Sequence, residues 1–245
     1  MKSTVERARR SWLLVPASKP HDIATAAKSG ADVVVLDLVE FVAEKDKPAA
    51  RRAVRGAIDG LRAGGAEVYA QVDPQFIDAD VEAAAWPGLA GIVIARAETL
   101  EQVREAAAQL ECFETEREIS PGTLEIVAAL ETAKGNHAGD GILRASPRVW
   151  GATLGRADLV MDLRPEPTGE IHLMPYLMQR LVIVAGAAGV TPIGAWWRAP
   201  DRGLLATPDN THAAARRGRA IGFKGAMCVR ADQVNALNRA FADQC

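Results

Sequence analysis

Short apolar runs alternate with longer amphipathic segments along the whole chain. The run DVVVLDL at residues 32–38 is almost continuously apolar, which is typical of a strand buried on both faces of a parallel sheet. Gly60, Gly64 and Gly65 lie at the end of an amphipathic segment that starts at Lys47, and glycines at that place favour a helix end. Reading the chain in this way predicts eight strands: Trp12–Pro16, Asp32–Leu38, Glu67–Val72, Gly91–Ile94, Leu124–Leu130, Arg148–Leu154, Thr191–Ala195 and Gly225–Val229.

The segments between these runs predict the helices Pro20–Ser29, Lys47–Leu61, Asp78–Ala85, Leu100–Leu110, Glu170–Ala188, Asn210–Ile221 and Gln233–Phe241. Eight strands that alternate with helices within 245 residues are typical of an α/β protein with a (β/α)8 barrel. We therefore predict a TIM barrel that forms a single domain over residues 1–245. A doubly wound open sheet is the alternative, but it normally has a Gly-rich phosphate-binding turn after its first strand, and PASKPHD is not such a turn.

The composition excludes several classes of protein. A hydrophobic fraction of 49% is too high for a disordered chain, and 29 Lys and Arg against 31 Asp and Glu do not indicate binding to nucleic acid. The longest apolar stretch, Leu181–Val190, is about half as long as a membrane span, so no membrane segment is predicted. The widely spaced Cys112, Cys228 and Cys245 indicate free thiols in a reducing compartment. We expect a cytoplasmic protein that acts on a small molecule.

Carboxylates follow several of the predicted strands. The active site of a TIM barrel lies at the carboxyl ends of its strands, so side chains at these places should meet at one mouth. Glu131 and Asp158 follow two adjacent, strongly apolar strands, and two carboxylates that meet there would favour a cation. Ligation by oxygen alone suits Mg²⁺ or Mn²⁺ better than zinc. The alternative for each carboxylate is a structural role, as a helix cap or as the partner of an arginine.

Four segments resemble the citrate lyase β-subunit and malyl-CoA lyase family, in the same order and over nearly the whole chain. They are RSWLLVPASKP, DVVVLDLVEFVAEKDKPAAR, ALETAKG and LGRADLVMDL. The resemblance implies a (β/α)8 barrel, a homo-oligomer (for example a trimer), and a Mg²⁺ site formed by Glu131 and Asp158. It also implies cleavage or formation of a carbon–carbon bond in 3-hydroxyacyl thioesters or 2-oxo-acid adducts, and we expect a small 2- or 3-hydroxy acid, free or as a CoA thioester, as the substrate.

The departures from the family pattern are concentrated at the strand ends. The Arg that the family has at the end of strand three is Gln71 here, and a neutral amide cannot replace the charge of a guanidinium. Arg96, Arg198 or Arg230 could supply the missing cation. The alternative for Arg96 is a salt bridge to Glu98 or Glu131 that only holds the barrel mouth. The remaining differences are Leu38-Val39-Glu40 for Leu-Glu-Asp, Ala95-Arg96 for Pro-Lys, Gly194 for Asp, Arg230-Ala231 for His-Pro, and the added pair Trp196-Trp197.

These residues lead to one principal hypothesis and two alternatives. The principal hypothesis is a Mg²⁺-dependent carbon–carbon lyase in which Gln71 and Arg96 contact substrate oxygens. Asp37 and Glu40 would not bind the metal themselves but would orient the substrate or a metal-bound water molecule. A thioester hydrolase on the same scaffold is the enzymatic alternative, and a non-catalytic relative that binds a metal–ligand complex is the other.

Overall fold

The structure is a computed structural model, and it describes residues 8–155, 159, 162–164, 167–194 and 207–242. Eight parallel strands close into a barrel in sequence order, with β8 paired to β1. The predicted TIM barrel is therefore confirmed. The strands are β1 (Ser11–Pro16), β2 (Val33–Asp37), β3 (Glu67–Val72), β4 (Leu89–Ile94), β5 (Glu125–Ala129), β6 (Val149–Thr153), β7 (Thr191–Gly194) and β8 (Gly225–Cys228).

Helices follow the strands and form the outer layer. They are α1 (Pro20–Ala26), α2 (Lys47–Ala63), α3 (Ile77–Ala84), α4 (Leu100–Glu116), α5 (Ala133–His137), α6 (Gly139–Leu143), α7 (Pro167–Ala188), α8 (Pro208–Ala220) and α9 (Val234–Ala240). None of the helices within the described residues is long and apolar enough to cross a membrane.

The sequence pattern did not predict α5 and α6. Each is only five residues long, and three glycines (Gly135, Gly139 and Gly141) interrupt the apolar pattern there. The hydroxyl of Thr132 caps α5 by accepting a hydrogen bond from the backbone N–H of Gly135 at 3.0 Å. A Cβ on Gly135 would lie within hard contact of the Ala97 carbonyl, so the glycine lets this turn pack directly against the loop after β4.

Alternation along the strands separates two apolar layers. Side chains such as Leu36, Ile92 and Ile126 face the helices, whereas Val35 and Val127 fill the barrel interior. The interior is therefore a packed core rather than a channel. Its open end is the one at the carboxyl ends of the strands.

The opposite end of the barrel is closed by rings and charges. The rings of Trp12 and Tyr69 pack at an angle of 53° with their centroids 4.8 Å apart, and the guanidinium of Arg9 lies 4.4 Å from the ring centroid of Trp150. Arg9 also forms ion pairs of 2.6 Å with both Glu67 and Glu125. Although burial opposes it, the hydrogen bond to Glu67 raises the pKa of Arg9, which therefore stays charged. This closure places any small-molecule site at the other end of the barrel.

Candidate active site

A cavity opens at the carboxyl ends of the strands. The polar side chains of its described lining are the amide of Gln71, the carboxylate of Glu131 and the hydroxyl of Thr153. Cys228 also borders the cavity, but its side chain packs in the apolar layer that faces the helices. Burial raises the pKa of the Cys228 thiol, so this group is protonated and is not an activated nucleophile. The lining residues are Leu14, Gln71, Val93, Ala129, Glu131, Thr153, Gly155, Met227, Cys228 and Val229.

Glu131 lies two residues beyond the end of β5, and only 3% of its surface is exposed. Its Oε1 accepts a hydrogen bond of 2.9 Å from the backbone N–H of Arg96. Arg96 has a φ of 45°, in the left-handed region that residues with a side chain seldom adopt. Such strained backbone is common where a loop must present a group to a functional site. Here it directs a backbone N–H at the buried carboxylate.

Gln71 and Glu40 form a pair beside this carboxylate. Gln71 is buried at the inner face of β3, and its Nε2 donates to Oε1 of Glu40 at 2.9 Å. Glu40 is held in turn by the loop after β2, because Asp37 accepts backbone hydrogen bonds from Val39, Glu40 and Phe41. The structure thus connects Gln71, Glu40 and Asp37, three of the residues that the sequence singled out. The contacts of Asp37 with the backbone give it a role in shaping the loop.

The guanidinium of Arg96 points to a different carboxylate from the ones that the sequence suggested. Its Nη2 lies 3.3 Å from Oδ2 of Asp73, whereas Glu98 pairs with Lys134 at 3.4 Å. Asp73 is buried, and Lys47 also lies 3.3 Å from the same oxygen. The Arg96 side chain is 45% exposed, so one end of this network reaches the mouth of the barrel.

Residues of α2 and α3 support Asp73 from behind. The backbone N–H of Asp73 donates to Asp80 at 2.9 Å, and Asp80 pairs with Arg51 at 2.7 Å. Burial raises the pKa of Asp80, although the bonds from Asp73 and Arg51 oppose that shift. Lys47 and Arg51, four residues apart on α2, therefore hold the loop after β3 in place.

Sequence reasoning did not single out Thr153, which lies on the cavity wall in β6. Its side chain is buried, and its Oγ1 has no hydrogen-bond partner within the part of the chain that the structure describes. The sequence could have indicated Thr153, because strand alternation predicts that its side chain faces the barrel interior, where a hydroxyl is unusual.

Several sequence predictions fall outside the described residues. Asp158, the second predicted metal ligand, is one of them, as are Trp196, Trp197 and Arg198. Gly155, which belongs to the same LGRADL segment as Asp158, does line the cavity. Arg230, another candidate cation, is largely exposed and pairs with Asp232, two residues further along the chain. Among the described residues, no three His, Cys, Asp or Glu side chains are grouped as a metal site.

The donor chemistry of the cavity nevertheless fits a hard cation. Glu131 presents a buried carboxylate, and Gln71 and Thr153 add an amide and a hydroxyl, so the polar lining is mainly oxygen. Carboxylate and neutral oxygen donors are the ligands that Mg²⁺ prefers. Such a set of donors suits Mg²⁺ better than a softer metal.

Comparison with known proteins identifies the family of this chain. The model of the HpcH/HpaI aldolase/citrate lyase family matches residues 10–231. The chain belongs to this family. One relative is the citrate lyase subunit beta of Leuconostoc mesenteroides subsp. cremoris, 25% identical over 240 residues that cover 97% of this chain and 78% of the relative. Another is the (3S)-malyl-CoA thioesterase of Cereibacter sphaeroides, 25% identical over 95% of this chain and 77% of the relative.

Solved structures of the HpcH/HpaI aldolase/citrate lyase family have the same fold. The citrate lyase beta subunit from Mycobacterium tuberculosis, complexed with oxaloacetate and magnesium, superposes with a TM-score of 0.73 and 26% identity. The match covers 96% of this chain and 97% of that one. In the present member of the family, the neutral amide of Gln71 lies at the end of β3, where the sequence resemblance led us to expect an arginine.

Proposed function

We propose that this protein is a Mg²⁺-dependent carbon–carbon lyase that acts on a small 2- or 3-hydroxy acid, free or as its CoA thioester. The observation that carries the proposal is the buried carboxylate of Glu131, which lines a cavity at the carboxyl ends of the strands and is oriented by the Arg96 N–H. Membership of the HpcH/HpaI aldolase/citrate lyase family supports the same reaction class.

Glu131 and Asp158 would hold the metal, with Mn²⁺ as a substitute for Mg²⁺. When bound, the cation supplies positive charge that stabilises the negative oxygen formed as the carbon–carbon bond breaks. The M. tuberculosis structure, with its oxaloacetate and magnesium, supports this choice of metal. Glu131 is suited to the role, because a backbone donor orients its carboxylate.

Gln71 and Arg96 would contact the substrate oxygens. The Gln71 amide is fixed by Glu40, and Asp37 fixes the loop that carries Glu40. The Arg96 guanidinium is half-exposed, and its 3.3 Å distance to Asp73 is longer than the 2.7–2.9 Å of a strong charge-assisted bond. It can therefore exchange Asp73 for a substrate carboxylate at small cost. Asp37 and Glu40 would orient the substrate through Gln71 and the loop.

A thioesterase is the second candidate function. The name of the C. sphaeroides relative supports it, because that protein is a (3S)-malyl-CoA thioesterase with 25% identity. The neutral Gln71 supports a third reading, a protein that binds a metal–ligand complex without turnover, because the cation expected at that strand end is replaced.

Product analysis distinguishes these functions. The wild type is incubated with Mg²⁺ and a panel of free 2- and 3-hydroxy acids and 3-hydroxyacyl-CoA thioesters. Products are identified by mass spectrometry, with Glu131→Gln and added EDTA as controls. A lyase yields two carbon fragments with any thioester intact, and a thioesterase yields free CoA with the acid intact. Metal-dependent binding without any product would contradict both enzymatic functions and leave the binding protein.

The assembly and location remain predictions. We expect a homo-oligomer, for example a trimer, in the cytoplasm, and light scattering coupled to size-exclusion chromatography measures the number of subunits.

A further inference from the structure

The hydroxyl of Thr153 is a buried polar group in the cavity wall. The residue is 2% exposed, and its Oγ1 has no hydrogen-bond partner among the described residues. A buried hydroxyl without a partner destabilises a folded protein, because it loses its bonds to water and gains none in return. Valine has nearly the same shape, suits a strand equally well and lacks this penalty. An unpaired hydroxyl is therefore expected where a ligand supplies the missing partner.

The surroundings of Thr153 place that partner inside the barrel mouth. The strand register sets Thr153 beside Ala129. The backbone carbonyl of Thr153 accepts a 2.9 Å hydrogen bond from the backbone N–H of Leu130, the residue before Glu131. The hydroxyl thus lies on the strand next to the Glu131 carboxylate and deeper in the barrel. Around it, the described cavity lining consists mostly of the apolar side chains Leu14, Val93, Ala129, Met227 and Val229.

We propose that Thr153 is a ligand-binding residue whose hydroxyl donates a hydrogen bond to an uncharged keto or hydroxyl oxygen of the small acid. This inference rests on the proposed function. The oxygen is uncharged because the described lining contains no Lys or Arg, while Glu131 is itself an acid. A second carboxylate at this depth would be buried without a counter-charge, which is strongly unfavourable. Thr153 therefore favours ligands whose inner end carries a ketone or an alcohol over those with a second carboxylate there.

The test compares Thr153→Val with the matched control Thr153→Ser, which shortens the side chain but keeps the hydroxyl. Affinities for pyruvate and for acetoacetate are measured by calorimetry in the presence of Mg²⁺, and melting temperatures are measured without ligand. We expect Thr153→Val to bind about 3- to 10-fold more weakly, the value of one neutral hydrogen bond. Its melting temperature should be equal to or higher than that of the wild type, because no protein hydrogen bond is lost. Thr153→Ser should bind within about 2-fold of the wild type, since it can still donate that bond.

Other outcomes overturn the inference. Equal affinity of Thr153→Val and wild type would show that the hydroxyl does not touch the ligand, while the proposed function would stand. A lower melting temperature of Thr153→Val with unchanged binding would assign the hydroxyl to an internal bond. If the wild type binds neither acid with Mg²⁺, the proposed function fails, and this inference fails with it.

Discussion

The backbone N–H of Arg96 donates a 2.9 Å hydrogen bond to Oε1 of Glu131, so the loop after β4 orients the carboxylate that follows β5. The donor belongs to the backbone, so it survives replacement of the Arg96 side chain. The two possible roles of Arg96 can therefore be separated. Its N–H positions Glu131, and its guanidinium is available to contact a ligand.

Metal binding should depend on Glu131 and Asp158. Glu131→Gln keeps the shape of the side chain but removes its charge, and we expect at least about a tenfold loss of Mg²⁺ affinity, with the same for Asp158→Asn. Isothermal titration calorimetry measures both. Glu98→Gln is the matched control, because Glu98 pairs with Lys134 and does not line the cavity. Equal affinity in all four proteins would contradict the ligand pair.

The Arg96 side chain should matter for binding rather than for folding. Its ion pair with Asp73 is 45% exposed on the arginine side, and exposed pairs contribute about 0–1 kcal/mol to stability. Arg96→Met should therefore melt within a few degrees of the wild type but bind oxo and hydroxy acids with Mg²⁺ about ten- to a hundredfold more weakly. Arg96→Lys, which keeps the charge, should recover part of that loss. Unchanged binding together with a lower melting temperature would make Arg96 a structural residue.

Gln71 should limit the range of substrates. Malyl-, citramalyl- and citryl-thioesters each carry at least one free carboxylate, and a neutral amide cannot balance its charge. We expect the wild type to be nearly inactive on all three, and Gln71→Arg to gain activity because Glu40 can accept the new guanidinium. Coupled assays of CoA-thioester cleavage measure this, with Gln71→Met as a control that keeps the position neutral. Robust cleavage by the wild type would show that Gln71 does not restrict this chemistry.

Acid should destabilise the protein through Glu114 on α4. Its carboxylate is fully buried, pairs with Arg148 at 2.7 Å, and accepts the backbone N–H groups of Gly122 and Leu124. Burial alone would raise the pKa of Glu114, but these donors outweigh it and lower the pKa below its ordinary value of 4.5. The stabilisation is therefore complete above the pKa of the unfolded chain, near 4.5, and is lost as the pH falls through the lower pKa of the folded state.

Thermal unfolding as a function of pH measures this effect. Glu114→Gln leaves the partly buried Arg148 without its counter-charge and should cost about 1–3 kcal/mol at neutral pH. Its melting temperature should also fall less steeply in acid than that of the wild type. Glu105→Gln, at an exposed position of the same helix, is the control and should behave like the wild type. Parallel acid curves for Glu114→Gln and wild type would exclude Glu114 as the source of acid sensitivity.

The strands and the barrel could be predicted because a parallel strand buried on both faces must be apolar along its length. DVVVLDL and LEIVAAL satisfy that condition, and their observed strands differ from the prediction by only one residue at each end. The polar residue that ends such a run faces the barrel mouth whatever its partners are. Glu131 was for this reason visible as a candidate, whereas α5 and α6, which are rich in glycine, were not.

The partners of these residues were decided only by the tertiary structure. Gln71 meets Glu40 across 31 positions of the chain and Arg96 meets Asp73 across 23, because adjacent strands bring their carboxyl ends to one rim. The sequence suggested Glu98 or Glu131 as the partner of the Arg96 guanidinium, and this was wrong. Arg96 has a left-handed backbone conformation, and the sequence does not show in which direction such a residue points its side chain. The unpaired hydroxyl of Thr153 is likewise a property of the packed interior. Whether a buried donor finds a partner depends on every neighbouring strand at once, and no local pattern of residues determines that.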